Sequence, residues 1–349
     1  MTSTRQTRAP LQRLRRAVAP AAKTVLFRTG VYGLIRRTRP NQRVAILRYH
    51  AVCGPEGYDY ADPHICVSAG AFRAHVEYLT GHYAVISLDE AVKALRGERS
   101  LPDNAVVLTF DDGYADNLIA AQILHEHGAT ATFYLTADCL AGGQPFWPSE
   151  VRQIVPRLAV PRLVLALGDR RFDWPLSDAV EREAAIQGVT RLFKSVTIPQ
   201  REELRVQLRA VAGLEQPLPS PMLTWNEVRE MQLLGMSMGA HTLTHPNLPS
   251  AGLADATAEI VGAKRRLEQE LGTEVTQFSY PNGGAETYYN EDLQRAVCAA
   301  GYLGAATSRN GFAGQGSDPY ALERIQVAER VEDLAFALEV ERFAFAPAA

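Results

Sequence analysis

The chain has 349 residues, 46% of them hydrophobic, and is therefore long enough to bury the core of one large domain. Its net charge of −3 is unevenly distributed, because residues 1–43 carry 11 Lys/Arg and no Asp/Glu. The remainder carries 25 Lys/Arg against 39 Asp/Glu, a net charge of −14, which would repel nucleic acid. We therefore expect no nucleic-acid partner.

Residues 1–42 are predicted to form a basic amphipathic arm. Their apolar runs are short and interrupted by arginine, unlike a signal peptide or a transmembrane helix. Such an arm can lie on an anionic membrane surface, remain solvated, or pack as a helix on the rest of the chain. The four cysteines show no CxxC spacing and are expected to be reduced thiols. We expect a cytoplasmic protein whose residues 1–43 allow peripheral contact with the inner face of the membrane.

From residue 43 onwards, short apolar strands alternate with amphipathic helices. The strands are recognised by apolar, β-branched runs and the helices by apolar residues at helical spacing. The first predicted strands span residues 44–49, 84–86, 105–110 and 130–135. The helices between them span residues 69–79, 88–95 and 114–127.

The alternation breaks between residues 142 and 221. The segment opens with Phe146-Trp147-Pro148 and ends at three closely spaced prolines, and its charged stretches 178–193 and 200–211 resemble helices. We interpret it as an inserted lid or subdomain over the mouth of a larger domain that spans residues 43–349.

Beyond the insertion, the alternation of helices and strands resumes. The predicted helices span residues 224–234, 253–271, 288–300 and 331–345. The predicted strands span residues 236–240, 275–279, 303–306 and 325–327. This alternation predicts a parallel α/β architecture.

Two adjacent carboxylates, Asp111 and Asp112, follow the predicted strand 105–110. In α/β folds, ligands bind at the carboxyl ends of the strands. Two neighbouring negative charges stay ionised only if a cation or hydrogen bonds compensate them. The alternative is an Asp-Asp-Gly turn that only caps the following helix.

Two histidines, His241 and His245, follow the predicted strand 236–240. Imidazoles four residues apart can fall on one face of a helical turn, and Pro246 suggests that His245 ends this turn. One Asp and two His would provide three protein ligands and leave an ion such as zinc an open position for water. By chance alone, this spacing of histidines is common in proteins.

The sequences TFDDG at residues 109–113 and HTLTH at 241–245 together resemble two motifs of the polysaccharide deacetylases of carbohydrate esterase family 4. This family shares the NodB homology domain. The resemblance covers roughly residues 43–345 and implies an α/β fold, an irregular (β/α)7-type barrel, here with a helical insertion and a basic N-terminal arm.

The resemblance also implies a chemistry. Asp112, His241 and His245 would hold a divalent metal, zinc in first place with cobalt, nickel or manganese as alternatives, and Asp111 would act as general base. The implied activity removes an N-acetyl or other small N-acyl group from an amino sugar. The implied partner is such a glycan, as a polysaccharide, an oligosaccharide or a lipid-linked precursor.

Most family members supply the general acid as a histidine near the C-terminus, but the last histidine of this chain is His245. His50 ends the predicted strand 44–49, and its Tyr-His sequence resembles a circularly permuted branch of the family. We therefore expect His50 to be the acid, although a histidine at a strand end is more often structural. Structural roles are expected for His75, His82, His125 and His127.

Residues 278–284 occupy the place of the family's third motif. That motif usually carries an arginine two residues before the proline, where this chain has Ser279, and Arg324 is a candidate substitute that would support the base. By resemblance, the Asn282 backbone N–H would help to hold the oxyanion, with Tyr280 and Pro281 beside it. The alternative for this segment is a turn without chemistry.

Two further hypotheses concern the glycan. Trp147 could stack on a sugar ring, although aromatic residues in such insertions more often only pack. The missing arginine also allows a second function, a non-catalytic glycan-binding protein that retains the deacetylase barrel.

Overall fold

A computed structural model describes residues 19–216, 218–283 and 288–345. Residues 1–18 of the predicted arm, Pro217 of the insertion, Gly284 of the third motif and residues 346–349 lie outside these ranges. Within the described ranges, no helix combines the length and the apolar character needed to cross a membrane.

Eight of the ten strands form one curled sheet in which every strand pairing is parallel. In chain order, the strands are β1 (Ala45–Tyr49), β2 (Ala84–Val85), β3 (Ala105–Phe110), β4 (Thr132–Leu135), β5 (Arg162–Leu167), β6 (Arg170–Pro175), β7 (Ser237–Ala240), β8 (Gln277–Ser279), β9 (Gly304–Ala306) and β10 (Ile325–Gln326). The sheet order is β10-β1-β3-β4-β7-β8-β9, with β2 also beside β3. A parallel bridge between Ala306 and Leu322 brings the chain before β10 back to β9. The predicted α/β barrel is confirmed.

The helices lie between the strands largely where the sequence predicts them. They are α1 (Pro20–Arg28), α2 (Val31–Thr38), α3 (Ala69–His82), α4 (Leu88–Leu95), α5 (Asn117–Glu126), α6 (Trp147–Ile154), α7 (Ala179–Lys194), α8 (Ile198–Val211), α9 (Trp225–Leu233), α10 (Leu248–Ala251), α11 (Leu253–Leu271), α12 (Glu291–Ala299) and α13 (Val331–Glu339). Helices α4, α8 and α9 begin with a capping box, in which a Ser or Thr side chain and a Glu or Gln side chain satisfy free backbone N–H groups.

Several predicted helix boundaries differ from the structure, among them the end of α13 and the start of α5. Helix α13 ends at Glu339, before a short 3-10 helix at Glu341–Phe343, instead of continuing to residue 345. Helix α5 begins at Asn117 instead of residue 114, because Tyr114 forms an antiparallel bridge with Met222. At Tyr114, a contact distant in sequence overrides a local helical pattern.

Alternate residues of β3 belong to two different apolar clusters. Leu108 and Phe110 pack in the larger cluster between the sheet and its helices. Val107 packs instead with residues of other strands, including Ile46 and Tyr134. Because side chains alternate along a strand, Asp111 continues the side of Val107. This alternation directs the first of the two carboxylates towards the interior of the barrel.

The insertion contains an antiparallel hairpin, β5–β6, that the sequence analysis missed when it predicted only helices. Gly168 and Asp169 form its two-residue turn, with a φ of 57° at Gly168, a known hairpin signal. The hairpin packs with α6, α7 and α8 around an apolar cluster that includes Trp147, Leu165 and Leu204. This cluster is separate from the apolar clusters of the barrel.

The described part of the arm, α1 and α2, packs against α13. Tyr32 is buried in one cluster with Ala335 and Phe336, and Lys23 forms a 2.8 Å ion pair with Asp333. Of the alternatives for the arm, residues 19–38 thus adopt a helical packing on the barrel.

Candidate active site

The two adjacent carboxylates lie at the carboxyl end of β3, and both residues are buried. Asp112 has a φ of 78°, so the chain turns sharply between the two side chains. Gly113 follows with a φ of 92°, and a Cβ at this position would approach the Leu135 side chain to 3.0 Å. The turn therefore gives Asp111 and Asp112 different partners and requires glycine next to them.

Arg324 binds both oxygens of Asp111. The distances are 2.7 Å from Nη1 to Oδ1 and 2.7 Å from Nη2 to Oδ2. The guanidinium also donates to the Thr307 carbonyl at 2.8 Å and to Ser279 Oγ at 3.0 Å. Arg324 thus contacts Ser279, the residue at the position where the family motif has its arginine.

The electrostatic environment keeps Asp111 ionised. Burial alone would raise the pKa of its carboxyl, but the charge and hydrogen bonds of Arg324 outweigh burial and hold the pKa well below its usual range. A buried bidentate pair of this kind also fixes the orientation of the carboxylate.

The turn that carries the two histidines is not helical, which corrects the expectation from their spacing. Thr242 has a φ of 68° and His245 a φ of 58°, both in the left-handed region. Thr242 Oγ1 accepts a 2.9 Å hydrogen bond from the His245 backbone N–H. The turn nevertheless brings the two imidazoles together, with ring centroids 5.0 Å apart.

Asp112, His241 and His245 converge on one point. The Nε2 atoms of His241 and His245 lie 3.4 Å and 3.3 Å from Asp112 Oδ1, and all three residues are buried. Metal–ligand distances of 2.0–2.2 Å in a tetrahedral site correspond to ligand–ligand distances of about 3.3–3.6 Å. Each imidazole nitrogen therefore lies at the distance from the Asp112 oxygen that a shared zinc ion requires, and all three donor atoms lie within 4.8 Å of one another.

The hydrogen bond of His241 adds a second argument for a cation. Its Nδ1 lies 2.8 Å from the Ser279 carbonyl oxygen, which only accepts, so Nδ1 carries the proton. The other ring nitrogen, Nε2, lies 3.4 Å from the Asp112 carboxylate oxygen. The space between these two atoms must therefore hold either a second ring proton or a cation. The residues present thus fit a divalent metal.

His245 and Asp112 have the ionisation states that such a metal needs. Burial lowers the pKa of His245 to about 4, although Asp112 opposes this shift, so the ring is neutral at pH 7. Burial would raise the pKa of Asp112, but its contacts with the two histidines hold that pKa well below the usual range. Neutral imidazoles and an ionised carboxylate are the ligand forms that bind metals.

His50 lies beside the first carboxylate, with its Nε2 3.7 Å from Asp111 Oδ2 and 15% of its side chain exposed. Asn117 Nδ2 donates to the His50 carbonyl at 2.7 Å and anchors the end of the strand. Burial lowers the pKa of His50 to about 4, opposed by Asp112 and Asp111. The structure thus brings His50 to the same site as both carboxylates.

The third motif follows β8 at the same end of the sheet. Tyr280 and Pro281 are buried, and the Tyr280 hydroxyl donates to the Tyr320 carbonyl at 3.1 Å. Asn282 has a φ of 73°, and its Nδ2 donates to the Pro246 carbonyl at 3.2 Å. The segment is therefore joined to the histidine turn one residue beyond His245.

Of the two alternatives for Trp147, stacking on a sugar or packing, the structure shows packing. Its residue is only 1% exposed, and its Nε1 donates to the His245 carbonyl at 2.9 Å. The ring packs against Phe193 and beside His245, at centroid distances of 5.8 Å and 6.0 Å. An aromatic residue whose ring is enclosed in this way has no free face for a ligand.

The sequence analysis did not single out two charged residues near the site, Arg48 and Glu259. Arg48 is buried, hydrogen-bonded to Gln326, and its pKa is lowered to about 10 by burial and by Arg324. Glu259 is buried and contacts the histidine turn. The sequence signals that could have identified them were the position of Arg48 inside the apolar strand β1 and that of Glu259 on the apolar face of α11.

The polysaccharide deacetylase family model matches residues 98–157 and 202–305 of this chain. Among curated proteins, YxkH of Bacillus subtilis (strain 168), an inferred polysaccharide deacetylase, is 20% identical over 307 residues. That match covers 87% of this chain and 78% of the relative. The matched ranges of the family model include both Asp111-Asp112 and the two histidines.

Two solved structures are similar in fold to this chain. The Streptococcus pyogenes deacetylase PplD in complex with acetate has a TM-score of 0.55 at 21% identity, covering 85% of this chain and 98% of its own. IcaB from Ammonifex degensii has a TM-score of 0.56 at 16% identity, covering 86% and 98%. These likenesses show that the chain shares their fold.

The pair of Arg324 and Asp111 can be tested by its contribution to stability. In Arg324→Met, the Asp111 carboxylate stays buried without its partner, so we expect the free energy of unfolding at pH 7 to fall by about 3–5 kcal/mol. Burial then raises the Asp111 pKa, so the carboxyl takes up a proton as pH falls and the deficit relative to wild type shrinks. Urea unfolding across the pH range measures both effects.

The control for this prediction is the double variant Arg324→Met/Asp111→Asn, which buries neither charge. It should recover part of the lost stability at pH 7 and show no such pH dependence. A double variant as unstable as Arg324→Met alone would contradict the pairing as the cause.

Proposed function

Because the chain belongs to the polysaccharide deacetylase family, whose members are carbohydrate-active hydrolases, we propose that it removes an N-acetyl or other small N-acyl group from an amino sugar. The substrate would be a polysaccharide, an oligosaccharide or a lipid-linked glycan precursor. The observation that carries this proposal is the convergence of Asp112, His241 and His245 on one point beside Asp111.

The proposed cofactor is zinc, with cobalt, nickel or manganese as alternatives. Asp112, His241 and His245 would hold the ion through one carboxylate oxygen and two imidazole nitrogens. A bound zinc ion polarises a carbonyl group and lowers the pKa of water towards about 7. Three protein ligands leave room for both substrate and water.

Asp111 would be the general base. The carboxylate is ionised because Arg324 holds its pKa low, and each of its oxygens keeps a lone pair beyond the bond to the guanidinium. It would accept a proton from the attacking water. Its position next to Asp112 in the chain holds it close to the proposed metal ligands without being one of them.

His50 would return a proton to the departing amine nitrogen. Its ring is neutral at pH 7 because burial holds its pKa near 4, so the proton must reach it during the reaction. Asp111, whose Oδ2 lies 3.7 Å from His50 Nε2, would supply the proton that it has taken from water. The transfer leaves a carboxylic acid and a free amine as products and returns both side chains to their starting states.

The Asn282 backbone N–H would stabilise the negative charge that develops on the carbonyl oxygen. Its side chain bond to Pro246 ties this backbone segment to the histidine turn. One donor of this kind contributes about 2.7–4 kcal/mol in acyl transfer. Tyr280 and Pro281, both buried, would hold this segment in place.

The second candidate function, glycan binding without catalysis, is not favoured. It was motivated by the missing arginine of the third motif, and Arg324 supplies a guanidinium in contact with both Ser279 and Asp111.

The described part of the basic arm supports contact with an anionic membrane surface. Val25 and Leu34 are 59% and 62% exposed, and Arg28 and Arg37 are exposed near them. Residues 1–18 carry five further arginines and no acidic residue. Basic residues near an anionic surface contribute about 1 kcal/mol each. We propose peripheral attachment, which would suit a lipid-linked substrate.

The proposed activity predicts that the purified protein releases acetate from N-acetylglucosamine oligomers. A chelator should abolish the release by removing the ion from Asp112, His241 and His245. Added zinc or cobalt should restore the release by occupying the same three ligands. An acetate assay with metal-reconstituted protein measures this. Release that persists after exhaustive chelation, with no metal detected in the protein, would contradict the proposal.

The role of His50 predicts that His50→Ala lowers kcat by about 10²–10⁴ through loss of the acid. Steady-state kinetics on the same oligomers measures the loss. His64→Ala is the matched control, because the His64 side chain is 90% exposed and should be dispensable. Equal activity of both variants would remove His50 from the mechanism.

The attachment proposal predicts that the full chain sediments with phosphatidylglycerol vesicles and that a chain lacking residues 1–18 does so several-fold less. This truncation spares α1 and α2, which pack on the barrel. Binding should weaken as salt screens the charges, and neutral phosphatidylcholine vesicles serve as the control. Equal sedimentation of both chains would contradict the role of the arm.

A further inference from the structure

The turn that carries His241 and His245 has an unfavourable backbone conformation. Thr242 and His245 both have positive φ, and Thr242 is β-branched, for which this region is rare. Such residues are energetically unfavourable and persist only when surrounding contacts hold them. The contacts that hold this turn therefore decide where the two imidazoles lie.

Most backbone polar groups of the turn bond to residues distant in sequence. The Thr242 and Leu243 carbonyls accept from the N–H groups of Ala137 and Asp138, both at 3.0 Å. Glu259, from α11, accepts from the N–H groups of Leu243 and Thr244, both at 2.8 Å. The same carboxylate accepts from the Thr244 hydroxyl at 2.6 Å. One buried side chain thus satisfies three donors of the turn.

The insertion supplies the remaining contacts. Arg201, from α8, donates to the Thr244 carbonyl at 3.2 Å and to the Thr244 hydroxyl at 3.0 Å. Trp147, from α6, donates to the His245 carbonyl at 2.9 Å. Arg201 is 1% exposed and lies in the stretch 158–201 that the family model does not match. It is therefore a feature of this chain beyond the family motifs.

His245 depends on these contacts more than His241 does. The His241 ring is fixed by its 2.8 Å bond to the Ser279 carbonyl. Nδ1 of His245 is buried and has no hydrogen-bond partner among the described residues. Metal-binding imidazoles are usually oriented through the second ring nitrogen, so His245 must be oriented through its backbone and its packing.

We propose that Arg201 and Glu259 are positioning residues that hold the 241–245 turn and thereby set the affinity of the site for its metal. This inference rests on the proposed function, in which His241 and His245 are metal ligands. Thr244 links the two residues, because its hydroxyl donates to Glu259 and accepts from Arg201. The insertion therefore contributes to the metal site without touching the metal.

The test compares Arg201→Met and Glu259→Gln with wild type in the full chain. We expect the zinc affinity of the metal-free protein, measured by competition with a chromophoric chelator, to fall about 10–100-fold in each variant. The visible spectrum of the cobalt-loaded protein should change as well, because it reports the coordination geometry. Thermal unfolding of the metal-free variants, recorded in parallel, shows that they are folded at the assay temperature.

Arg205→Met is the matched control. Arg205 lies on the same helix and is also buried, but it bonds to Glu150 at 2.7 Å and to the Pro145 carbonyl at 2.8 Å instead of to the turn. It should lower the unfolding temperature while leaving zinc affinity and the cobalt spectrum at wild-type values. A loss of affinity in Arg205→Met equal to that in Arg201→Met would overturn the proposal, since loosening of the insertion would then explain both.

Thr244→Val provides a second test of the positioning role, which is needed if Arg201→Met does not fold. It removes only the hydroxyl that both residues contact, so it should also weaken zinc binding, and its effect should be less than additive with Glu259→Gln. Wild-type affinity and spectrum in Thr244→Val and in every folded variant would overturn the positioning role alone. A wild-type protein that binds neither zinc nor cobalt would contradict the proposed function and this inference together.

Discussion

The site depends on the compensation of two neighbouring carboxylates in a buried place. Asp111 and Asp112 are adjacent in the chain and nearly inaccessible to water, an arrangement that like charges do not tolerate unaided. Arg324 neutralises the first, while the second faces two imidazoles. The left-handed backbone at Asp112 separates the two environments. One residue pair thereby provides an ionised carboxylate, which we propose as the base, and a second carboxylate, which we propose as a metal ligand.

Three separate parts of the chain converge to maintain this arrangement. The strand ends provide Asp111, Asp112 and His50, and the segment before β10 provides Arg324. The turn after β7 provides the two histidines, and its strained backbone is held from α11 and from the insertion. Since a core of close-packed elements deforms little, these contacts would hold the proposed donor atoms in place before a metal binds.

The alternation of strands and helices predicted a parallel α/β fold, while the family resemblance implied the barrel and the roles of the site residues. The structure brings these residues together because strand ends in an α/β fold meet at one edge. Arg324 was inferred from the gap at Ser279. The β5–β6 hairpin was missed because the charged residues of β6 obscured the alternation. The sequence left both alternatives for Trp147 open, because burial cannot be read from one aromatic residue. The sequence carried no signal for Arg201 and only one for Glu259, its charge on the apolar face of α11, since both residues bind a turn whose conformation the spacing of the histidines misrepresents.

The pairing of β1 with β10 separates the order of strands in space from their order along the chain. Leu47 lies opposite Ile325, so the first and last strands of the barrel are neighbours. A strand that is encoded at the opposite end of the gene could still take the same position in the barrel. The connecting segments would only need to be long enough to span the distance. A histidine that follows this strand can therefore occur near the start of one sequence and near the end of another, and still face the same carboxylate. In this fold, a comparison of site residues by their sequence order alone would overlook such equivalent positions.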